Sequence, residues 1–193
     1  MNKMVHELND KMKEAHEKRN HTVPDKARDS VPHHKHKPEL KKPRIAIHSL
    51  TGCAGCQLTI YFIKDILLDF LGAIDLVAAP MIKGKNEDGP YDVCFLEGSV
   101  ASERDLKHLK EYREQSKFLV AFGTCATHAN VQGMKNFKEA QEVQEAVYGK
   151  NALNMTGDST PVAPTPIENH VKVDFKISGC PPDEIEILKF VKQ

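Results

Sequence analysis

From Pro43 onward, short β-rich runs alternate with longer helical patterns, and this alternation is the strongest constraint on the fold. A repeated strand–helix–strand order favours a parallel sheet with right-handed crossovers. The run FLVAF is apolar throughout, as expected of a strand that is covered on both faces. The sequence therefore predicts an α/β fold, with an open parallel sheet and helices on both of its faces.

The individual elements are predicted from hydrophobic periodicity and turn residues. Strands are expected at residues 44–50, 75–80, 92–100, 117–125 and 171–180. Helices are expected at residues 58–71, after Ser102 as the N-cap, at 136–148, and from Pro181 and Pro182 to the C-terminus. Polar loops are expected at residues 83–90 and 151–169.

Residues 1–42 differ in composition from the rest, with six of the ten histidines, many lysines and glutamates, and few large apolar side chains. Such a segment buries too little apolar surface to offset the entropy lost on ordering. The stretch HHKHK at residues 33–37 suggests metal binding, but a solvated tail is the favoured interpretation. The sequence thus predicts an irregular, polar N-terminal extension over 1–42, disordered or docking against a partner, and a folded domain over 43–193.

Composition also limits the class of protein. Basic and acidic residues number 27 each, so no net field draws the chain to nucleic acid or anionic lipid. We find no apolar run of about 18 residues that could span a bilayer and no secretory signal, which favours a cytoplasmic protein. No glycine-rich phosphate loop follows the first predicted strand, which argues against a nucleotide-binding Rossmann or P-loop domain.

Four of the five cysteines follow the ends of predicted strands. Cys53 and Cys56 come just after the first strand, Cys125 ends the fourth, and Cys180 ends the fifth, each beside a glycine. Because ligands of open α/β sheets bind at the carboxyl ends of the strands, we expect four thiols at one edge of the sheet. Cys94 falls inside a strand and is interpreted as a small buried hydrophobic residue.

Four thiolates suit either a tetrahedral zinc ion or a 4Fe–4S cluster. Structural zinc usually takes two closely spaced cysteine pairs from a small module, whereas Cys125 and Cys180 are far apart in the sequence. A thioredoxin-like dithiol needs only Cys53 and Cys56 and leaves the other two unexplained. The pattern favours a cluster, with zinc, a redox dithiol and no shared site as the alternatives.

The motifs CAGCQLT, FLEGSV, GTCA and SGCPPDEI, in this order and spacing, resemble the small subunit of nickel–iron hydrogenases. The resemblance covers about residues 43–193 and is strongest for cytoplasmic forms coupled to nicotinamide, deazaflavin or heterodisulfide partners. It implies a flavodoxin-like domain that holds one proximal 4Fe–4S cluster against a large subunit with the nickel–iron centre. The family's ligands, transferred motif by motif, fall on Cys53, Cys56, Cys125 and Cys180.

The resemblance implies electron transfer, with no catalytic residue in this chain. Dihydrogen is oxidised, or protons are reduced, at the large subunit. Electrons then pass through the cluster to or from an iron–sulfur or flavin-containing subunit that serves a nicotinamide, deazaflavin, ferredoxin or similar acceptor. Many small subunits continue into a cysteine-rich segment with further clusters, whereas this sequence stops at Gln193, so a single cluster is expected.

Two other functions stay open. The iron–sulfur subunit of a respiratory-complex-like quinone oxidoreductase resembles the same fold, although it typically has adjacent cysteines where this chain has Cys53-Ala-Gly-Cys56. The second alternative is a non-catalytic assembly protein that zinc or a cluster stabilises.

Three further residues lie in or beside these motifs. Glu97 matches an acidic position of the family and is a candidate for proton movement or hydrogen bonding between subunits, unless it only accepts nearby backbone N–H groups. Thr124 either donates to a cluster sulfur or satisfies its turn. His128 is expected near the cluster, with a solvent-facing or backbone-bonded ring as the favoured interpretation.

Overall fold

The computed structural model describes residues 41–63, 67–149 and 160–191. The predicted N-terminal extension lies outside these residues except for its last two positions. Residues 64–66 of the predicted helix over 58–71 and residues 151–159 of the predicted loop also lie outside them. Among the described helices, none is long and apolar enough to cross a membrane.

The described residues contain seven strands: β1 (Arg44–Ser49), β2 (Asp75–Ala78), β3 (Tyr91–Glu97), β4 (Val100–Ser102), β5 (Ser116–Phe122), β6 (Pro161–Thr165) and β7 (Phe175–Ile177). Five of them form a parallel sheet in the order β2-β1-β3-β5-β7. The chain runs outward in one direction from β1 to β2 and in the other from β3 to β7. The predicted parallel α/β sheet is confirmed, with a topological switch point between β1 and β3.

The helices, in chain order, are α1 (Gly55–Tyr61), α2 (Leu67–Ala73), α3 (Glu103–Gln115), α4 (Thr124–His128), α5 (Asn130–Gly133), α6 (Ala140–Tyr148) and α7 (Glu184–Val191). Alternate strand residues face opposite sides of the sheet. One side packs Ile47 and Phe95 against α1, α2 and α7, whereas the other packs Leu96 against α3 and α4. The sheet therefore has a helical layer and a buried core on each face.

Several predicted element boundaries are wrong. The helix predicted over residues 58–71 starts earlier, at Gly55, its first segment ends at Tyr61, and Leu67–Ala73 is a separate helix. The predicted strand over 171–180 is reduced to Phe175–Ile177. After Ile177 the chain leaves the sheet and reaches Cys180.

The Pro-rich segment predicted as a loop contains β6, which pairs antiparallel with β4. The prediction was wrong because Pro161 and Pro164 disfavour interior strands but are tolerated in a short edge strand. Residues 134–137 form a 3₁₀ turn before α6, and Pro181 and Pro182 precede α7 instead of forming its first turn. The predicted N-cap is confirmed, because Ser102 Oγ accepts a hydrogen bond from Asp105 N.

Candidate functional site

The four strand-end cysteines lie at the carboxyl edge of the parallel sheet. Cys53 follows β1, Cys56 is in the first turn of α1, Cys125 is in α4 directly after β5, and Cys180 follows β7. Glu97, the last residue of β3, completes this edge. The expected placement of the four cysteines on one edge is therefore what the topology produces.

Hydrogen bonds tie the two turns that carry Cys125 and Cys180. Gly123 N donates to Ile177 O at 2.7 Å, and Thr124 N donates to Gly179 O at 2.8 Å. In return, Gly179 N donates to Thr124 Oγ1 at 3.1 Å. The Thr124 hydroxyl oxygen thus serves the turn, one of its two predicted roles, and fixes the spacing between the two cysteine-bearing segments.

The turn that carries Cys53 and Cys56 depends on a left-handed residue. Ala54 has φ 63° and stands as the N-cap of α1, so the chain reverses between the two cysteines. Gly123, with φ +88°, faces this turn so closely that a β-carbon there would overlap Cys56 Sγ. Glycine is the residue that meets both conditions, because it accepts positive φ and adds no side-chain volume.

The thiols interact with one another electrostatically. Burial, the carboxylate of Glu97 and the charges that Cys125 and Cys53 carry when ionised together raise the pKa of Cys56 to about 12. Burial also raises the pKa of Cys125, as do the charges of Cys180 and Cys53. Each of the four thiols therefore affects the pKa of at least one other thiol, or has its own pKa affected by one.

The donor set fits an iron–sulfur cluster. With raised pKa values, Cys56 and Cys125 are neutral thiols at pH 7, and a bound cation is what converts such groups to thiolates. Within the described ranges, no three His, Cys, Asp or Glu side chains converge on a point that could hold a metal ion. A 4Fe–4S cluster makes a different demand, because its four thiolates bind four different irons around a shared space.

The site has a closed side and an open side. Cys56 is buried and Cys125 is partly buried, whereas Cys53 and Cys180 are exposed. A group held by these four sulfurs would rest on the sheet edge through Cys56 and face outward past Cys53 and Cys180.

A buried hydrogen-bond network lies beside Cys56 and involves the next residue, Gln57. Glu97, only 2% exposed, accepts hydrogen bonds from Gln57 Nε2 at 2.8 Å and from Gln57 N at 3.4 Å. The Tyr61 hydroxyl donates to Gln57 Oε1 at 3.3 Å. Glu97 thus accepts a backbone N–H, which is one of the two roles that the sequence suggested for it. The hydrogen bonds with Gln57 link the first turn of α1 to the end of β3.

Two other residues from the sequence analysis lie outside this network. His128 is exposed, and its Nδ1 lies 2.7 Å from Thr127 Oγ1, so its ring has the favoured solvent-facing position. Cys94 is fully buried on the opposite face of the sheet from Cys56, among Leu96, Leu109 and other core residues. Its burial raises its pKa to about 12.

Sequence reasoning missed three amide side chains. Gln57 is in the network beside Cys56, and the amide side chains of Gln132 and Asn130 oppose the rise in the pKa of Cys125. The position of Gln57 directly after Cys56 was the available signal in the sequence. Asn130 and Gln132 gave none, because their approach depends on the turn between α4 and α5.

Comparison with known families identifies the domain. Residues 53–193 match the family described as NADH ubiquinone oxidoreductase, 20 Kd subunit. The chain belongs to this family. The match includes all four strand-end cysteines and most of the parallel sheet.

Within the family, the chain is similar to hydrogenase subunits. Sulfhydrogenase 2 subunit delta of Pyrococcus furiosus is 36% identical over 149 residues, which cover 76% of this chain and 59% of that subunit. The delta subunit of the NAD-reducing hydrogenase HoxS of Cupriavidus necator is 30% identical, with 77% of this chain and 76% of that subunit covered. A subunit of the F420-non-reducing hydrogenase vhu of Methanococcus voltae is 33% identical, with 73% of this chain and 52% of that subunit covered.

Solved structures agree with this family. A chain of an NAD⁺-reducing [NiFe]-hydrogenase in the H2-reduced state superposes with a TM-score of 0.72 at 26% identity, covering 79% of this chain and 90% of that chain. The [NiFeSe] hydrogenase of Desulfovibrio vulgaris Hildenborough shares the fold, with a TM-score of 0.54 at 18% identity. The resemblance to nickel–iron hydrogenase small subunits is confirmed, while the chain spans 59% or less of the length of the first curated relatives.

Proposed function

We propose that this chain is the electron-transfer small subunit of a cytoplasmic, multi-subunit nickel–iron hydrogenase. Cys53, Cys56, Cys125 and Cys180 would hold one 4Fe–4S cluster in the domain over residues 43–193. The large partner subunit would carry the nickel–iron centre at which dihydrogen is oxidised or protons are reduced. Residues 1–42 would serve as a docking extension.

The observation that carries this proposal is the meeting of three strand ends at one edge of the sheet. They bring four thiols together beside Gly123, whose missing side chain leaves room for the Cys56 sulfur. Neither a dithiol nor a lone buried cysteine requires this arrangement. The similarity to hydrogenase subunits supports the same function from independent information.

A 4Fe–4S cluster supplies one-electron transfer at a potential that the protein tunes. The chain's own residues would hold and adjust it. Glu97 and Gln57 fix the turn of Cys56, Thr124 fixes the spacing between Cys125 and Cys180, and the buried core behind Cys56 excludes water. Because Glu97 is buried, proton movement, and not contact with the partner subunit, is the role that it would keep.

Exposed apolar surface near the cysteine-bearing turns supports the proposed partners. On one side, a groove of about 670 Å³ is lined by Leu58, Phe62, Pro182 and Ile185, and Phe62 is 64% exposed. A second apolar patch follows Cys125 in the sequence, where Val131, Met134 and Phe137 are exposed. Exposed apolar patches of this kind mark interaction sites, and two of them would allow a large subunit and an electron-accepting subunit to bind.

The acceptor class is proposed from the relatives. One of them is named for reduction of NAD and others for hydrogenases that do not reduce F420, so an iron–sulfur or flavin-containing subunit is the expected partner. The final acceptor would be a nicotinamide, ferredoxin, deazaflavin or similar carrier.

A second function is favoured by the description of the family. The 20 Kd subunit of NADH ubiquinone oxidoreductase gives its name to this family, so a respiratory-complex-like iron–sulfur subunit is the alternative. The two differ in whether the partner large subunit binds nickel and reacts with dihydrogen.

The test is purification of the full-length chain from its native host under anaerobic conditions, with its bound partners. Mass spectrometry identifies the co-purifying chains, and metal analysis measures nickel and iron. The proposal expects a nickel-containing large subunit and reduction of the cluster absorbance by dihydrogen. A nickel-free complex with an iron–sulfur cluster that dihydrogen does not reduce would favour the respiratory alternative.

A further inference from the structure

The segment between β7 and Cys180 has little regular structure of its own. β7 has three residues and ends at Ile177, and α7 begins only at Glu184. Cys180 itself is exposed. The position of this cysteine therefore depends on the contacts that residues 177–179 make with the rest of the domain.

All three of these residues contact α4 or its N-cap, on either side of Cys125. Backbone hydrogen bonds hold Ile177 and Gly179 there. Ser178 lies between them and uses its side chain, because its Oγ lies 3.1 Å from Thr127 Oγ1. The hydroxyl of Thr127 thus adds a side-chain contact to the two backbone contacts.

The helix places Thr127 for this contact. Thr127 comes three residues after Thr124 in α4, and side chains at this spacing lie on the same face of a helix. Thr124 Oγ1 accepts a hydrogen bond from Gly179 N at 3.1 Å, so this face is the one that meets the segment before Cys180. Thr127 is only 3% exposed, whereas Ser178 is exposed. The contact therefore ties a surface segment to a side chain that the core holds in place.

The hydroxyl of Thr127 has three partners. It donates to Gly123 O at 3.2 Å, and its oxygen also lies 2.7 Å from Nδ1 of His128. A carbonyl oxygen can only accept, so it takes the single hydroxyl proton, and the two lone pairs of the oxygen are left for Ser178 and His128. Ser178 is accordingly the donor in its hydrogen bond to Thr127. A methyl group in place of the Thr127 hydroxyl would remove the acceptor.

We infer that Thr127 is a positioning residue for Cys180, because it holds Ser178 and thereby keeps the exposed sulfur at the cluster. The inference rests on the proposed function, since it requires that Cys180 bind an iron. Each thiolate of a 4Fe–4S cluster binds a different iron, so a ligand that moves away opens one iron to solvent. Loss of the hydrogen bond between Thr127 and Ser178 weakens the retention of iron although all four ligands remain.

The experiment compares two substitutions that remove the same hydrogen bond from opposite sides. Thr127→Val keeps the side-chain shape without the hydroxyl, and Ser178→Ala removes the donor at an exposed position. The double variant is included, because two residues that act through one hydrogen bond have non-additive effects. Thr127→Ser keeps the hydroxyl and should behave as the unsubstituted chain does.

The control is Thr59→Val in α1. The Thr59 hydroxyl donates to the carbonyl of the residue four positions earlier, Gly55 O, at 3.1 Å. This bond matches the one from Thr127 to Gly123 in kind and length. Thr59→Val therefore measures the effect of losing the bond within a helix alone.

Two rates are measured on each full-length variant. Hydrogen–deuterium exchange at Gly179 N in the cluster-free chain shows how often residues 177–179 leave α4. Release of iron from the anaerobically loaded chain to a ferrous chelator shows how well the cluster is retained. Thr127→Val and Ser178→Ala should each raise both rates by about three- to tenfold, the effect of one ordinary hydrogen bond. Ser178→Ala should add nothing in the Thr127→Val background, and Thr59→Val should leave both rates unchanged.

The outcomes separate this inference from the function on which it rests. Unchanged iron release in fully loaded Ser178→Ala overturns the inference and leaves the cluster assignment intact. A double variant whose effect is the product of the two single effects also overturns it, as does exchange that rises equally in β3, because both indicate a general loss of stability. If Thr127→Val does not fold, Ser178→Ala alone decides. If the unsubstituted chain binds no iron, the proposed function fails and the inference fails with it.

Discussion

Gly123 lies so close to Cys56 that a β-carbon on the glycine would overlap the cysteine sulfur. The two residues come from different crossovers, Gly123 after β5 and Cys56 in α1. Their contact is therefore a long-range relationship that joins two parts of the cysteine edge. The Cys56 side chain packs directly against the backbone of Gly123, in the turn that carries Cys125.

Replacing Gly123 by alanine should damage the site directly. The residue has φ +88°, where a side chain costs about 1–2 kcal/mol, and the overlap with Cys56 Sγ adds a similar amount. We expect Gly123→Ala to lower the free energy of unfolding by at least about 2 kcal/mol and to reduce iron binding. Denaturant unfolding and iron analysis of the loaded chain measure the two effects.

The matched control is Gly72→Ala in α2. A β-carbon on Gly72 meets nothing within 4 Å, and the residue lies in a helix. Alanine there should leave iron content unchanged and stabilise the helix by about 0.5–1 kcal/mol. Equal iron loss in both variants would show that the Gly123 contact has no special role.

His48 makes the fold sensitive to mild acid. Its ring stacks on Tyr112 at 4.1 Å and lies 3.5 Å from the Tyr91 hydroxyl. Burial and, to a smaller extent, the nearby His108 lower the pKa of His48 from 6.5 to about 4, although Asp88 opposes the shift. The unfolded chain therefore binds a proton at a pH where the folded chain does not.

The sign of the effect follows from this difference. The contribution of His48 is fully present above pH 6.5 and is lost as the pH falls towards 4, up to about 3 kcal/mol in total. His48→Phe keeps a ring for the stack and should flatten the dependence of unfolding free energy on pH across this window. His170→Gln, which changes an exposed histidine, is measured beside it as the control for loss of a histidine.

Asp174 links three parts of the domain. Its carboxylate accepts hydrogen bonds from Arg113 Nη1 at 2.6 Å and from Leu119 N at 2.9 Å. Burial alone would raise the pKa of Asp174, but these hydrogen bonds and the charges of Arg113 and Lys172 together lower it. Because the pKa is lowered on folding, this stability is present above the ordinary aspartate pKa and is lost as the solution becomes more acidic.

We expect Asp174→Asn to cost about 1–3 kcal/mol in unfolding free energy at pH 7, because Arg113 loses its charged partner. Thermal or denaturant unfolding measures this directly. Glu142→Gln removes an exposed pair with Lys138 and should change stability by less than about 0.5 kcal/mol. Equal unfolding free energies for the two variants would show that the hydrogen bonds of Asp174 do not stabilise the fold.

The sheet was predictable because each of its strands carries a local signal. β1, β3 and β5 are short apolar runs, and their parallel pairing follows from the helices between them. β6 was missed because its prolines disfavour a strand, and only its pairing with β4, which is distant in sequence, creates one. The early start of α1 was missed because Ala54 in a left-handed cap gives no sequence signal.

The candidate site was likewise predictable in part: the positions of the cysteines were, and most of their surroundings were not. The cysteines could be assigned to one edge because a strand end fixes where each of them lies. The supporting hydrogen bonds between Glu97 and Gln57 could not be predicted, because side-chain reach across the fold depends on turn geometry. Pattern analysis thus located the thiols and missed most of the groups that hold them in place.

We propose that four thiols of this chain hold one 4Fe–4S cluster and that Cys94 is not a ligand. Cys94 lies on the opposite face of the sheet from Cys56. Serine there should cost at most a few kcal/mol of stability, about 1–3, because it places a hydroxyl in an apolar core. Serine at a ligand position should remove or convert the cluster, because a hydroxyl is a poor substitute for a thiolate.

The most direct measurement is the iron content of the full-length chain and of its five single Cys→Ser variants, loaded anaerobically under identical conditions. The account predicts about four irons in the unsubstituted chain and in Cys94→Ser. It predicts loss or conversion of the cluster in the variants of Cys53, Cys56, Cys125 and Cys180. Iron loss in Cys94→Ser, together with a native cluster in any one of the other four variants, would contradict it.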